Sequence, residues 1–196
     1  GFSSATISTI FGLLIAIAFV RFSDFGGRLF LSLFASAPLV MPEAVTGLSM
    51  LLLFIAMESS FGWPSGRGVD TIMIAHATFG MCFAAVVIQT RLRNMDKTLE
   101  EAARDLGGRQ PLVFLSITFP LILPSVIAAW LLSFTLSFDD VVIASFVSGP
   151  GSSTLPIVIF SKIRLGVSPE INAIATLMIL AISVLVMIGG FMLLRR

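Results

Sequence analysis

The chain has 196 residues, 57% of them hydrophobic and 12% charged, with a formal net charge of +1. Soluble domains carry about 25% charged residues, so a chain with a mean hydropathy of +1.04 cannot cover a water-facing surface and belongs in a membrane. Near-neutral charge without a basic run gives no footing for nucleic-acid binding, and the single cysteine, Cys82, excludes an intrachain disulfide and a cysteine metal cluster.

A membrane-spanning helix needs about 20 apolar residues, and five segments qualify. The first runs from Ser4 to Val20 and stops at Arg21. The second, Leu29 to Met57, is longer than a span requires and is broken by Pro38 and Pro42. Glu43 follows these breaks near mid-span. Prolines free carbonyls and open a helix, a common way of building transport sites. Glu43 therefore either contributes to such a site or pairs with a polar group of a neighbouring helix. The third span, Thr71 to Thr90, ends at Arg91 and Arg93 and contains the only histidine, His76. A hydrogen bond to a neighbouring helix is the plain role for His76, and a ligand or proton-relay role is the alternative.

The stretch Lys97 to Pro120 is the most polar part of the chain. Thr98 is a candidate N-cap, with Glu101 completing a capping box. Leu99, Ala102, Ala103 and Leu106 fall at i, i+3, i+4 and i+7, which makes one face apolar and mostly small. Gly107 and Gly108 supply a left-handed terminus, with Pro111 beyond. Such a helix either lies on lipid or fits a groove in a partner, and alanines in place of bulky anchors favour the groove.

The fourth span runs from Leu112 to Val147, interrupted by Pro120, Pro124 and the pair Asp139-Asp140. An aspartate inside a span costs about 2.5–3.5 kcal/mol on insertion scales. Adjacent helical residues point about 100° apart, so one lipid-avoiding face holds only one of the two. Either at least one carboxylate faces a water-filled cavity or a cation, or this is the outer end of the span, in the headgroup layer. Paired carboxylates suit an ammonium group, and Ser137 adds a hydroxyl. After Gly149-Pro150-Gly151, Leu155 to Phe160 is too short to cross and reads as a short helix or re-entrant piece. The fifth span is Ile171 to Leu194, closed by Arg195-Arg196.

Basic residues orient the chain. Alternate loops and the tail hold Arg21, Arg28, Arg91, Arg93, Lys97, Arg104, Arg109, Arg195 and Arg196, nine of the twelve Lys/Arg. Those loops and the C-terminus are expected to be cytoplasmic, with residue 1 outside. Nothing in the chain forms a catalytic set or a phosphate-binding glycine loop, so no enzyme activity and no cofactor or metal is expected in it.

Glu101-Ala102-Ala103, then Gly107, then Ile117-Thr118-Phe119-Pro120, resemble the EAA loop of ABC importer permeases, E-A-A-x-x-x-G-x9-I-x-L-P. Phe119 stands where leucine is usual. The spacing holds over about twenty residues, which makes the match specific. The resemblance implies an all-α polytopic permease of the six-helix type I architecture. Residues 1–196 would be one transmembrane domain showing five of the helices, its first helix missing, with 97–120 as the cytoplasmic coupling loop. Glu101, Ala102, Ala103, Leu106 and Gly107 would dock on an ATP-binding subunit that carries the ATP and Mg²⁺.

Ser137-Phe138-Asp139-Asp140-Val141-Val142, Ser145 to Pro150 and Gly166 to Ala173 resemble the polyamine importer subgroup, and within it the second permease subunit of putrescine or spermidine systems. That resemblance implies polyamine passage at Ser137, Asp139 and Asp140, with putrescine placed before spermidine. It further implies a second homologous permease, an ATPase dimer and a periplasmic polyamine-binding protein, all at the bacterial inner membrane. The competing readings are an ABC permease for another solute, such as an anion or sugar, and a non-ABC transporter or scaffold. The first would place basic or aromatic residues at span depth, where the spans show acids.

Overall fold

The computed structural model describes residues 1–22 and 25–165, together with 169, 172–173, 175–180 and 183. The described elements are helical: α1 (Phe2–Arg21), α2 (Arg28–Val40), α3 (Glu43–Phe61), α4 (Val69–Arg93), α5 (Thr98–Asp105), α6 (Gln110–Val113), a π-helical turn (Phe114–Thr118), α7 (Phe119–Asp139), α8 (Val142–Val147) and α9 (Leu155–Leu165). Four stretches among them are long and apolar enough to cross a membrane: Phe2–Arg21, Glu43–Phe61, Val69–Arg93 and the continuous Gln110–Asp139.

Two expected spans divide differently from the sequence reading. Leu29 to Met57 is two helices, not one. Met41 is extended (φ −77°, ψ 141°) because a residue preceding proline is driven out of the helical region, and Pro42 then opens α3. Pro38 does not break α2 but sits inside it. As a result Glu43 lies in the first turn of α3 rather than near the middle of a span. In the fourth span neither Pro120 nor Pro124 interrupts the helix. The π-helical turn immediately before Phe119 changes the backbone pairing where Pro120 lacks an N–H. The helix stops instead at Asp140, where ψ is 127°, and α8 begins two residues later.

The bundle is organised around α4. On one side α4 packs with α1 and α7 through Ala16, Ala84, Ile88, Leu92, Ile122 and Ala129. On the other it packs with α3 and α8 through Phe54, Ile72, Ala75, Phe79, Ile143 and Val147. Lipid tails offer no hydrophobic drive between helices, so small residues that let backbones approach do the work. Gly12 of α1 lies against Ala84 and Ala85, and Gly80 of α4 against Ser8. Hydroxyls reinforce these contacts: Ser8 donates to the Ala77 carbonyl (3.1 Å) and Trp130 Nε1 donates to Thr6 (3.1 Å). At its start α4 is fixed by Thr71, whose Oγ1 accepts from the Gly68 N–H (2.9 Å) and donates to the Val147 carbonyl (2.7 Å).

A second unit begins at Thr154 and contains α9. The expected short segment Leu155 to Phe160 is helical and runs on to Leu165, still too short to cross, with the Arg164 guanidinium 5.0 Å from the Phe160 ring centroid. The expected fifth span lies for the most part outside the described residues, as does Gly166 to Ala173.

A Cβ added at Gly12 would stand 2.6 Å from the Ala84 Cβ and 2.9 Å from the Ala85 nitrogen. Gly12→Val should therefore lower thermal stability in detergent by an overpacking cost on the order of 1–3 kcal/mol. Gly68→Ala, with nothing within 4 Å of the new carbon, should leave the midpoint nearly unchanged.

Candidate functional site

The residues singled out from sequence fall at the two ends of α7. At the Asp139 end, the buried His76 of α4 joins two of them. Its Nδ1 lies 2.7 Å from Ser137 Oγ and its Nε2 lies 2.9 Å from Asp140 Oδ2. A carboxylate only accepts, so Nε2 donates to Asp140, and Nδ1 shares the second hydrogen bond with the Ser137 hydroxyl. Asp140 also accepts from the N–H groups of Ile143 (3.1 Å) and Ala144 (2.7 Å). The carboxylate thus satisfies the open first turn of α8. Its desolvation is offset by three bonds, and the break between α7 and α8 is held in place by it.

Asp139 is different. It is the last residue of α7 and is exposed. Glu43 is exposed as well. One turn beyond it, a Cβ built on Gly47 would lie 3.1 Å from the Ile143 Cα, three residues past Asp140. Close packing of α3 on α8 therefore brings Glu43 to the same end of the bundle as the aspartates. Of the four candidates, Asp139 and Glu43 are open, whereas Ser137 and Asp140 are engaged with His76. The hydrogen-bonding role expected for His76 is the one observed.

At the other end of α7 lies the loop helix α5. Its start differs from the expected capping box. Thr98 is the first helical residue, and its N–H is taken by Asp96 Oδ1 (3.0 Å) two residues earlier. Aspartate makes this local turn readily, so it takes the donor that the Glu101 side chain would take in a capping box. Gly107 terminates the helix as expected, at φ +84°. The apolar face is not spent on the rest of the chain: Leu99 is 46% and Leu106 91% exposed. Glu101 and Ala102 are exposed beside them.

What anchors α5 is Glu100, which is not among the residues expected from sequence. It is 3% exposed. Arg21, the last residue of α1, donates through Nη1 and Nη2 to both its oxygens, and Thr118 donates to Oε1. Arg104 Nη2 stands 3.9 Å away on the same helix. The available signal was a pair of neighbouring glutamates about 100° apart on a helix, of which only one can face outward. An arginine ending an apolar span and a lone threonine in the run LSIT were the other clues.

The pattern of the family described as binding-protein-dependent transport system inner membrane component matches residues 8–196. The chain belongs to this family. It is accordingly a multi-pass transport component of the inner membrane. It is 50% identical over 192 residues, 98% of this chain and 68% of the relative, to the putrescine transport system permease protein PotI of Escherichia coli (strain K12). It is 39% identical over 183 residues, 93% of this chain and 67% of the relative, to the spermidine/putrescine transport system permease protein PotC of the same strain. PotC of Haemophilus influenzae is 41% identical over 188 residues, 96% of this chain and 70% of that protein.

Two expectations follow from the geometry. His76→Phe removes two hydrogen bonds at a buried site, which should cost about 1–3 kcal/mol of stability. His76→Gln, whose amide can still donate to Asp140, should cost less, as read by thermal unfolding in detergent. The second concerns acid. Hydrogen bonds from Arg21 hold the Glu100 carboxyl below its ordinary value against the opposing effect of burial, helped by Thr118 and by the charges of Arg21 and Arg104. A depressed folded pKa gives stability that is complete above the unfolded value, about 4.3, and is lost as pH falls through the folded one. Acidification below that value should lower the unfolding midpoint of the native chain more than that of Glu100→Gln.

Proposed function

We propose that the chain is a permease subunit of an ATP-driven ABC importer that moves a polyamine, putrescine before spermidine, from periplasm to cytoplasm. The likeness of nearly the whole chain to permease proteins of putrescine and spermidine/putrescine systems carries the reading. The end of the bundle that bears Arg21, Arg91, Arg93 and α5 faces the cytoplasm, in keeping with the excess of basic residues there. The same charge argument, from Arg195 and Arg196, assigns the C-terminus to the cytoplasm.

Each feature then takes a part in transport. The exposed face of α5, with Glu101, Ala102, Ala103, Leu106 and the turn at Gly107, docks on an ATP-binding subunit. ATP and Mg²⁺ are bound by that subunit's dimer. A second homologous permease completes the pathway, and a periplasmic polyamine-binding protein delivers the substrate to the opposite face. Asp139 and Glu43, both exposed, offer carboxylates to the ammonium groups of the passing amine. Ser137 and Asp140 act through His76: together they fix where α7 stops and so where Asp139 stands. Binding along this route has to be weak, because a cation held tightly does not leave.

The test is uptake of labelled putrescine by the assembled transporter in vesicles. Asp139→Asn should reduce uptake about tenfold, in line with the loss of one charge-assisted hydrogen bond, with subunit assembly intact. Undiminished uptake would remove Asp139 from the route. Transport of an anion or sugar in place of putrescine would overturn the substrate class, and failure to co-purify with an ATP-binding subunit would overturn the importer reading itself.

A further inference from the structure

We propose that Glu100 is the pin through which movement of α5 reaches the membrane helices, and that Glu101, its neighbour, faces the partner instead. The proposal rests on the reading of α5 as the coupling helix of an ATP-driven importer. It adds the residue that makes the helix a lever.

A docked helix transmits force only through what fastens it to its own chain. For α5 the fastening is not its apolar face, since Leu99 and Leu106 are exposed. Its one buried residue is Glu100. That carboxylate is bonded to both ends of the machinery that would have to move. Arg21 closes α1, and Thr118 closes the π-helical turn that leads into α7. A displacement of α5 therefore pulls on α1 and α7 together, two helices that pack on α4 through one core.

The surroundings suit a moving joint. A half-open cavity of about 460 Å³ adjoins the ion pair, lined among others by Ile17, Pro111, Phe114 and Leu115, and leaves space on one side of the joint. π-Helical turns inside α-helices are frequent at functional sites. Beyond it α7 runs unbroken for 21 residues to Asp139, about 30 Å at 1.5 Å per residue. One rigid element thus joins the pin to the open carboxylate at the far end. Such intermediacy becomes coupling only when both ends are shown to respond together.

The test uses the complete transporter reconstituted in proteoliposomes, with labelled putrescine taken up and ATP hydrolysed measured in the same vesicles. Glu100→Gln keeps the size of the side chain and loses the ion pair. It should hydrolyse ATP near the native rate yet import about fivefold less putrescine, or a still smaller amount, per ATP, within the usual range of coupling energies. The KM for uptake should be unchanged and the maximal rate reduced. Thr118→Val should show the same signature more weakly, and Thr118→Ser, which restores the hydroxyl, should return the native ratio. The swap Arg21→Glu with Glu100→Arg should transport better than Glu100→Arg alone. Proportional loss of hydrolysis and uptake, or a native ratio in Glu100→Gln, would overturn the pin. If Glu100→Gln does not assemble, the ratio in Thr118→Val against Thr118→Ser decides: equal ratios overturn the proposal. Should the native complex itself show no ATP-dependent uptake, the importer reading fails, an outcome distinct from failure of the pin.

Discussion

A carboxylate taken out of water on a short surface helix remains charged only where cations and donors replace the lost solvent. Glu100 meets that condition with a two-pronged contact from Arg21, a hydroxyl from Thr118 and a more distant Arg104. Helix α5 has eight residues and is too short to hold its shape alone. The ion pair is what gives it a fixed position and leaves its apolar side free. Because the partners of Glu100 belong to α1 and to the turn before α7, the placement of the α5 loop and the placement of the membrane helices are one problem with one solution.

The far end of α7 is arranged by similar chemistry. There the carboxylate is Asp140, its cross-helix partner is His76 of α4, and its backbone partners are the first N–H groups of α8. Both termini of the helix are thus set by acids that are fully engaged, each next to an acid that is not: Glu101 beside Glu100 and Asp139 beside Asp140. Adjacent positions on a helix cannot share an environment. In each pair one carboxylate is held by the chain and its neighbour is exposed.

Much of this was legible in the sequence. Hydrophobic length marks out the spanning helices, and the Glu101-to-Pro120 spacing marks out α5 and its end at Gly107. The expense of two aspartates in an apolar run draws attention to Asp139 and Asp140. Other features were hidden for physical reasons. Pro120 and Pro124 look like breaks because proline removes an N–H, yet a π-helical turn absorbs the first and a long apolar helix tolerates the second. Thr98 and Glu101 have capping-box spacing, but Asp96 reaches the same N–H first. Glu100 pairs with a residue 79 positions away and Asp140 with one 64 positions away. No local pattern announces such partners; only the packing of α1 and α7 on α4 brings them into range.

The account holds that α7 carries motion from Thr118 to the neighbourhood of Asp139, and one measurement addresses this most directly. A cysteine at Phe138→Cys, in a Cys82→Ser background, can be labelled with a water-soluble thiol reagent while the reconstituted transporter is held with or without ATP. The account predicts that the labelling rate changes with ATP when Glu100 is present and no longer changes in Glu100→Gln. An ATP-dependent rate that is the same in both backgrounds would contradict it.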